Sequence, residues 1–392
     1  MGGLADSEFR DKTAIAGVGR TALSTRSGRT TLSLATEAIS RAVRDAGLSM
    51  SDIDGLALHA ANDCAPLHEV AATLGLRDLR WFHEEWGGGS KAPVILASAA
   101  TACAVGDASN VVIFRALNGR SGMRMGRMGG GGPSVLPRDL QYQLPFGIVA
   151  PAQAYAMAAR MHMDRYGTTE EAFGTIAVQQ RAAARLNDRA LMRDPMTMED
   201  YVASRWIVEP FRLFDCCLET DGACALVVTT TDRARHLAQP VVTVRGWASA
   251  IGPNGISNIE GDLTTTTAAH IAPRLYGMAG IGPADVDVAQ LYDAFTYSVL
   301  VQLEDYGFCD KGDGGPFVLS GTTALGGALP VNTHGGFLSE GYVHGMNHIA
   351  EAVDQLRGQA GERQVPNCAV ALSTAQPGYI TGMSSAVLLG RP

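Results

Sequence analysis

The stretch AGLSMSDID at residues 46–54 returns later in the chain as AGIGPADVD at residues 279–287. In both copies a helical pattern comes first, and Gly47 and Gly280 stand where a left-handed residue commonly ends a helix. A turn and a short apolar run, typical of a buried strand, follow each copy. Because helix, cap, turn and strand occur twice, the sequence indicates an internal duplication.

Two further correspondences follow in the same order along the chain. A helical stretch leads into a strand in each half, at residues 91–105 and 111–114 in the first and at 345–356 and 369–372 in the second. A final strand closes each half, at residues 221–228 and 382–389. The sequence therefore predicts two duplicated α/β halves, each a mixed sheet with helices on its faces, packed in layers with the active site between them.

The two halves differ in length. We place the first half at residues 1–235 and the second at residues 236–392. The first half carries extra sequence at residues 118–214, which includes a Gly-, Met- and Arg-rich stretch at 119–132 and an amphipathic helical pattern at 151–166. This extra sequence is predicted to form an inserted loop domain.

Bulk properties restrict the ligand and the compartment. A formal net charge of -8 argues against nucleic acid or an anionic membrane surface as the main partner, since both attract basic faces. Residues 1–12 lack the apolar run of a signal peptide or a spanning helix, so a cytoplasmic protein without a membrane span is expected. The seven cysteines show no C-x-x-C spacing and are predicted to be free thiols.

Four short stretches combine glycines with polar or aromatic residues. They are Trp86-Gly87-Gly88-Gly89-Ser90-Lys91, Tyr292-Asp293-Ala294-Phe295, the run GGFLSEGYV at residues 335–343, and Ala375-Gln376-Pro377-Gly378-Tyr379. Their order, with the duplication and the insertion, resembles the thiolase superfamily, in particular the thiolase-like lipid-transfer proteins related to sterol carrier protein X. The resemblance covers nearly the whole chain and implies a thiolase fold.

The residues at the family's catalytic positions are different here. The resemblance places the nucleophilic cysteine at Gly88, the catalytic histidine at Tyr342, the His or Asn of the second motif at Tyr292, and the last cysteine near Gly378. An acyl-enzyme cannot form at Gly88 without a thiol. The chain is therefore expected to keep the pocket of a thiolase and to lack its Claisen chemistry.

The two tyrosines indicate proton transfer without a covalent intermediate. A phenol has a reference pKa of about 10 and is a competent donor at neutral pH. Retro-aldol cleavage of a 3-hydroxyacyl-CoA needs one group for the alcohol proton and one that protonates the enolate carbon. We predict that Tyr292 and Tyr342 are these catalytic residues, and the sequence leaves open which of them has which role.

The thioester oxygen needs hydrogen-bond donors as it becomes negative. Glycine-rich turns let backbone amides approach such an oxygen closely, so amides near Gly88 or Gly378 are the predicted donors. His344 and Asp293 are predicted to support this site, His344 by orienting a substrate oxygen.

The same substitutions are similar to those of the thiolase-like aldolases of bacterial steroid side-chain degradation. That resemblance implies a 17-hydroxy steroid side-chain CoA ester as substrate, cleaved to a 17-ketosteroid and propionyl-CoA. It also implies a thiolase-type homodimer and a small OB-fold partner protein, together forming a heterotetramer. No metal and no cofactor are expected, because coenzyme A is part of the substrate.

A metal-dependent aldolase and a Schiff-base aldolase fit the sequence less well than proton transfer by tyrosines. His344 and His348 have the i, i+4 spacing of metal ligands, but no acidic motif accompanies them, which disfavours a metal-dependent aldolase. Lys91 invites a Schiff base, although a thioester can itself accept the electrons. Arg124 and Arg127 could bind coenzyme A phosphates or a partner, or belong to an exposed loop, and the sequence leaves this open.

Two rival functions also fit the sequence. A non-catalytic subunit that binds acyl-CoA or lipid needs no nucleophile and would turn over no hydroxyacyl-CoA. A Claisen-type acyltransferase would need a cysteine at a position that the motifs do not identify.

Overall fold

The computed structural model describes residues 8–122, 138–252, 262–376 and 382–392. The strands are β1 (Thr13–Arg20), β2 (Gly55–Ala60), β3 (Trp81–Trp86), β4 (Asn110–Asn118), β5 (Trp206–Val208), β6 (Phe211–Arg212), β7 (Asp221–Thr230), β8 (Val242–Ile251), β9 (Val288–Gln290), β10 (Val370–Ala375) and β11 (Met383–Gly390). The helices are α1 (Thr31–Asp45), α2 (Leu67–Leu74), α3 (Ala92–Val105), α4 (Arg138–Gln143), α5 (Pro151–Tyr166), α6 (Glu170–Arg185), α7 (Met198–Ala203), α8 (Thr231–Ala234), α9 (Ala268–Ala279), α10 (Thr296–Asp305), α11 (Gly314–Leu319), α12 (Gly336–Ser339) and α13 (Met346–Arg357).

The strand order shows the duplication directly. Within the described residues, one sheet runs in the order β3-β2-β4-β7-β1-β8-β11-β10-β9. The set β2-β4-β7-β1 of the first half matches the set β9-β10-β11-β8 of the second, and in each set the first pair is parallel and the others are antiparallel. The predicted mixed sheet in each half is confirmed. The two sheets join through a short β1–β8 pairing, which the sequence did not predict.

Two helices lie between the halves of this sheet. Leu96 of α3 and Ile349 of α13 share one core with Val111 of β4 and Leu389 of β11, so both halves pack against these two helices. Helix α1 covers the outer face of the first half, and α9 and α10 cover the outer face of the second. The predicted layers are therefore present, and the ends of the central helices lie where the halves meet.

The predicted elements agree closely with those observed. Gly47 and Gly280 have φ values of 74° and 68°, so both take the left-handed conformation expected of them. The strand predicted at residues 286–291 is shorter, because the backbone of Leu291 bonds to the side chain of Asn332 instead of a strand.

The inserted sequence contains helices α4 to α7 and the β5–β6 hairpin. The amphipathic pattern at 151–166 forms α5, which begins with Pro151 in the first turn. Tyr155 of α5 contacts Phe295, with 4.7 Å between ring centroids and the ring planes tilted by 39°, so this segment shares a core with the second half. The domain boundaries at residue 235 and at 118–214 stay predictions.

All seven cysteines are free thiols, as predicted. Among the helices in the described ranges, none has the length and apolar character needed to span a membrane.

Candidate active site

Tyr292 follows the end of β9 by two residues. Its backbone N–H donates to the Thr374 hydroxyl of β10 over 2.9 Å. Its carbonyl accepts hydrogen bonds from Gln302 Nε2 (2.8 Å) and the Ser298 hydroxyl (2.9 Å), both on α10. A strand and a helix therefore fix the position from which this side chain projects.

Tyr342 lies in the loop between α12 and α13. Its backbone N–H donates to the Thr220 hydroxyl (2.9 Å), and that hydroxyl donates to the carbonyl of Tyr342 (2.9 Å). Thr220 stands just before β7, so a residue of the first half holds a tyrosine of the second. The site is thus built from both halves.

The two predicted tyrosines meet. Their hydroxyl oxygens are 2.5 Å apart, a short hydrogen bond in which either oxygen can be the donor. The ring of Phe337 stands edge-on to both, with centroid distances of 5.0 Å to Tyr292 and 4.6 Å to Tyr342. The two phenol rings also stand edge to face with each other, with centroids 6.3 Å apart, and they approach most closely at their hydroxyls.

The electrostatic environment keeps both phenols protonated. Burial, then the neighbouring hydroxyl of Tyr342, raises the pKa of Tyr292 well above its ordinary value of 10.0. Burial and the Cys217 thiol likewise raise the pKa of Tyr342, but the hydrogen bond with Tyr292 and the guanidinium of Arg115 act to lower it. Tyr342 therefore has two influences that favour its giving up a proton, which Tyr292 lacks.

The glycine turn between β3 and α3 faces these groups. A Cβ at Gly89 would overlap the Tyr292 hydroxyl, and a Cβ at Gly88 would lie 3.0 Å from Cε1 of His344. The turn is held from behind, where the Ser385 hydroxyl donates to the carbonyl of Ser90 over 2.6 Å. Gly88, the position predicted for the missing nucleophile, therefore lies against the imidazole of His344, and its neighbour Gly89 lies against the phenol of Tyr292.

His344 is buried and lies against Tyr342, with ring centroids 4.7 Å apart at 89°. Its Nδ1 accepts hydrogen bonds from Nε (3.0 Å) and Nη2 (2.9 Å) of Arg115. Burial and the charge of Arg115 lower the pKa of His344 well below 6.5, so the imidazole is neutral at neutral pH.

Asp293 supports the site from behind and does not enter it. Its fully buried carboxylate contacts His348 Nε2 (2.9 Å) and accepts the backbone N–H of Leu338 (3.2 Å). His348 and His344 therefore serve different networks and do not converge on one ligand.

Several predicted residues lie outside the described part of the chain. These are Gly378, Arg124 and Arg127. Lys91 is described, and its ammonium pairs with Glu85 at 2.6 Å, which occupies it outside the tyrosine pair. Cys103 is buried on α3, and burial raises its pKa to about 12.

Three residues of the site were missed by sequence reasoning. Gly89 and Phe337 gave no local signal, because their importance depends on which side chains fold against them. Arg115 did give one, since it is a single charge inside the apolar run NVVIFRALN of β4. A charged residue in the middle of a buried strand is rare unless it is paired, and this one is fully buried.

The arrangement can move protons and bind an oxyanion. The paired hydroxyls provide a path for one proton across 2.5 Å, and the neutral imidazole and the glycine turn provide donors for a carbonyl oxygen. The described site contains no thiol at the predicted nucleophile position, which is Gly88.

The chain is similar to known proteins over most of its length. The family described as Thiolase C-terminal domain-like matches residues 254–390. The steroid side-chain-cleaving aldolase of Thermomonospora curvata is 43% identical over 384 residues, which covers 94% of this chain and 97% of the relative. The 17-hydroxy-3-oxo-4-pregnene-20-carboxyl-CoA lyase of Mycobacterium tuberculosis is 43% identical over 354 residues, covering 88% of this chain and 91% of the relative.

A solved structure described as "Ltp2-ChsH2(DUF35) aldolase" has nearly the same fold. The TM-score is 0.91 at 41% sequence identity, and the match covers 98% of this chain and 99% of the other. The similarity thus extends over both halves and the inserted sequence.

Proposed function

Because the chain belongs to the thiolase-like family of steroid side-chain-cleaving aldolases, we propose that it cleaves a 17-hydroxy steroid side-chain CoA ester into a 17-ketosteroid and propionyl-CoA. It acts as a carbon–carbon lyase on a CoA thioester. The observation that carries the proposal is the 2.5 Å contact between the hydroxyls of Tyr292 and Tyr342.

That contact matches the proton balance of a retro-aldol reaction. The hydroxyl proton leaves the substrate, the bond between the carbinol carbon and the α-carbon breaks, and its electrons pass into the thioester as an enolate. The α-carbon then takes up a proton. One proton is lost at oxygen and one is gained at carbon, so a pair of linked hydroxyls can pass it on without a change in net charge.

The surroundings favour one direction for this transfer. Protonation of the enolate carbon suits a hydroxyl that is close to a positive charge, and the guanidinium of Arg115 acts to lower the pKa of Tyr342 against the effect of burial. Tyr342 also lies beside His344, where the thioester oxygen would bind. We therefore assign the alcohol proton to Tyr292 and the enolate carbon to Tyr342.

The donors for the enolate oxygen are the second part of the proposal. His344 and the backbone amide of Gly88 lie together, since a Cβ at Gly88 would be 3.3 Å from Nε2 of His344. Gly378 remains a predicted donor, and Asp293 supports the loop of Tyr292 through His348. No cofactor is proposed, because the thioester accepts the electrons and the tyrosines carry the proton.

The assembly follows from an exposed edge and from a relative. Strand β3 ends the sheet, and Phe82 and Trp86 on it are 69% and 70% exposed. We infer a homodimer formed along β3. The solved relative contains a component named ChsH2(DUF35), which supports a small OB-fold partner and a heterotetramer. The free thiols fit a reducing compartment, and we propose the cytoplasm.

The test is turnover of 17-hydroxy-3-oxo-4-pregnene-20-carboxyl-CoA with mass detection of both products. Removing either hydroxyl, in Tyr292→Phe or Tyr342→Phe, is expected to lower kcat about 10²- to 10⁴-fold, because proton transfer contributes that much. Tyr297→Phe is the control. Tyr297 lies on α10 and is as fully buried as Tyr292, but its hydroxyl has no partner among the described residues.

Wild-type rates in both variants would remove the catalytic assignment. A wild-type protein that binds the ester but cleaves none, even with its partner, would instead support the non-catalytic subunit. Acyl labelling of a cysteine would support the acyltransferase.

A further inference from the structure

Arg115 lies in the middle of β4 and is fully buried, and its guanidinium bonds to three groups. Nη1 donates to the carbonyl of Ala116 (3.1 Å), and Nη2 pairs with the Asp63 carboxylate (2.5 Å). Nε and Nη2 also converge on Nδ1 of His344, at 3.0 and 2.9 Å. A cation buried this deeply is costly, and one neighbouring carboxylate balances its charge.

These contacts determine where the proton of His344 is. A guanidinium has five N–H donors, no acceptor, and stays charged in proteins. Nδ1 of His344 must therefore accept, which leaves the imidazole proton on Nε2. A protonated ring would set an N–H against the guanidinium, and Arg115 together with burial lowers the pKa of His344 accordingly.

The edge of the His344 ring that carries Cε1 and Nε2 lies beside Gly88, the position predicted for the nucleophile, and Cε1 is 3.0 Å from the place of a Cβ there. Nε2 lies 3.3 Å from the place of a Cβ at Gly88, and no partner for Nε2 occurs among residues 8–122, 138–252, 262–376 and 382–392. His344 also has a φ of 49°, a left-handed conformation that costs free energy in a non-glycine residue. The fold therefore holds this ring in a strained conformation, and no described residue pairs with its Nε2–H.

We propose that Arg115 is a positioning residue that fixes His344 as its Nε2–H tautomer, and that this N–H donates to the thioester oxygen as the oxygen becomes an enolate. The inference rests on the proposed retro-aldol function. Asp63 acts one step further away, because it orients the guanidinium. The positive charge behind the ring also strengthens the Nε2–H as a donor to a developing anion.

The test is a double-mutant cycle between the pair and the imidazole. His344→Phe keeps a ring and removes the donor, and is expected to lower kcat about 10²- to 10³-fold, as loss of one oxyanion donor does. Arg115→Met combined with Asp63→Asn removes the buried pair together and leaves no charge unpaired. It is expected to lower kcat by about 10- to 100-fold with little change in KM, because the tautomer is then no longer fixed.

Non-additivity is the result that identifies a positioning role. In the His344→Phe background, removal of Arg115 and Asp63 is expected to lower kcat less than in the wild type, because only the effect of the guanidinium charge on Tyr342 remains. An equal loss of kcat in both backgrounds would overturn the inference, because the pair would then act independently of His344. The matched control is Arg357→Met with Asp45→Asn, an ion pair at 2.9 Å between a buried arginine and a half-buried aspartate. It contacts β1 through Ala16, and kcat of this variant should be unchanged.

The tautomer itself can be read by nitrogen-15 NMR of labelled imidazole groups, with His344→Phe used to assign the signal. The wild type is expected to show a protonated Nε2 and an unprotonated Nδ1. If the double variant does not fold, Arg115→Lys replaces it, because lysine keeps a donor and a charge. This variant should keep part of the Nε2–H tautomer and part of kcat. A proton on Nδ1 in the wild type would overturn the inference. Absence of cleavage by the wild type would instead refute the proposed function and leave the NMR result standing.

Discussion

At the scale of residues, the site depends on groups that keep one protonation state. Tyr292 and Tyr342 both have raised pKa values, and His344 has a lowered one, in each case first because of burial. The phenols therefore stay protonated and the imidazole stays neutral at neutral pH. Proton transfer between these groups requires close contacts, because neither phenol is ionised and the imidazole is neutral, so none of the three carries a charge that attracts the proton.

The contact between the glycine turn and Tyr292 leaves no room for a side chain at Gly89. Its Cβ would overlap the Tyr292 hydroxyl and lie 2.6 Å from the carbonyl of Gln376. Gly89→Ala should therefore displace Tyr292 and lower kcat at least about 10-fold, since misplacement by about 1 Å can cost about 100-fold. Turnover and the thermal unfolding midpoint would be measured together.

Gly277→Ala is the matched control for Gly89→Ala. Gly277 lies within α9 and has open space around its Cβ position, so alanine should stabilise the helix by about 0.5–1 kcal/mol and leave kcat unchanged. An unaffected kcat in Gly89→Ala would show that Tyr292 and the glycine turn can move apart without loss of activity, contrary to the geometry described.

The sequence predicted the tyrosines and failed to predict what they touch. Tyr292 and Tyr342 were identifiable because motif order assigns them without knowledge of contacts. Arg115 and Gly89 were not identified, because their roles come from residues 229 and 203 positions away that only the folded chain brings near. The lone charge in β4 was visible, but its partner was not.

At the scale of elements, one carboxylate joins the inserted sequence to the catalytic half. Asp215 accepts hydrogen bonds from the Tyr201 hydroxyl of α7 (2.9 Å), the Thr296 hydroxyl of α10 (2.5 Å) and the backbone N–H of Arg212 (2.6 Å). Burial raises its pKa from 3.8 to about 6, against the effect of these bonds. Helix α10 also donates a hydrogen bond from Gln302 to the carbonyl of Tyr292. Asp215 therefore contacts the same helix that holds the backbone of Tyr292.

The raised pKa of Asp215 makes stability depend on pH. The folded state holds the proton more tightly than the unfolded state, so this contribution to stability is complete below pH 3.8 and is lost as the pH rises through about 6. The loss amounts to at most about 3 kcal/mol. Asp215→Asn should abolish it, because an amide can bond to Arg212 and to both hydroxyls after these rotate.

Thermal unfolding midpoints of the wild type and Asp215→Asn would be compared from about pH 4 to pH 7.5. The other groups titrate in both proteins, so the difference between the curves isolates Asp215. The variant is expected to gain relative to the wild type as the pH rises. Parallel curves would mean that Asp215 is ionised throughout.

At the scale of the whole molecule, the duplication determines where the active site lies, and it leaves β3 as an edge strand that is open on one side. Equivalent loops of the two halves converge at the ends of α3 and α13, which lets Thr220 of one half hold Tyr342 of the other. The sequence predicted this layered arrangement from its repeats. The β1–β8 joint was not predictable, because it consists of only two residue pairs.

The open edge at β3 predicts the oligomeric state. Phe82→Lys with Trp86→Lys should convert a dimer of twice 41.1 kDa into a monomer, because charges on an edge strand oppose pairing. Light scattering after size-exclusion chromatography would give the mass. Phe146→Lys, at a residue 84% exposed on the inserted sequence, should leave the dimer intact. A wild-type monomer would contradict the proposal.

The two glycines at 88 and 89 make sulfur and phenol chemistry competitors for the same volume. A Cβ at Gly88 would require the imidazole to shift by a few tenths of an ångström, and a Cβ at Gly89 would overlap the phenol, so a thiol on this turn disturbs the groups now in place. Conversion between the two reactions therefore requires coordinated exchange at several positions, and a single restored cysteine would yield a protein impaired in both.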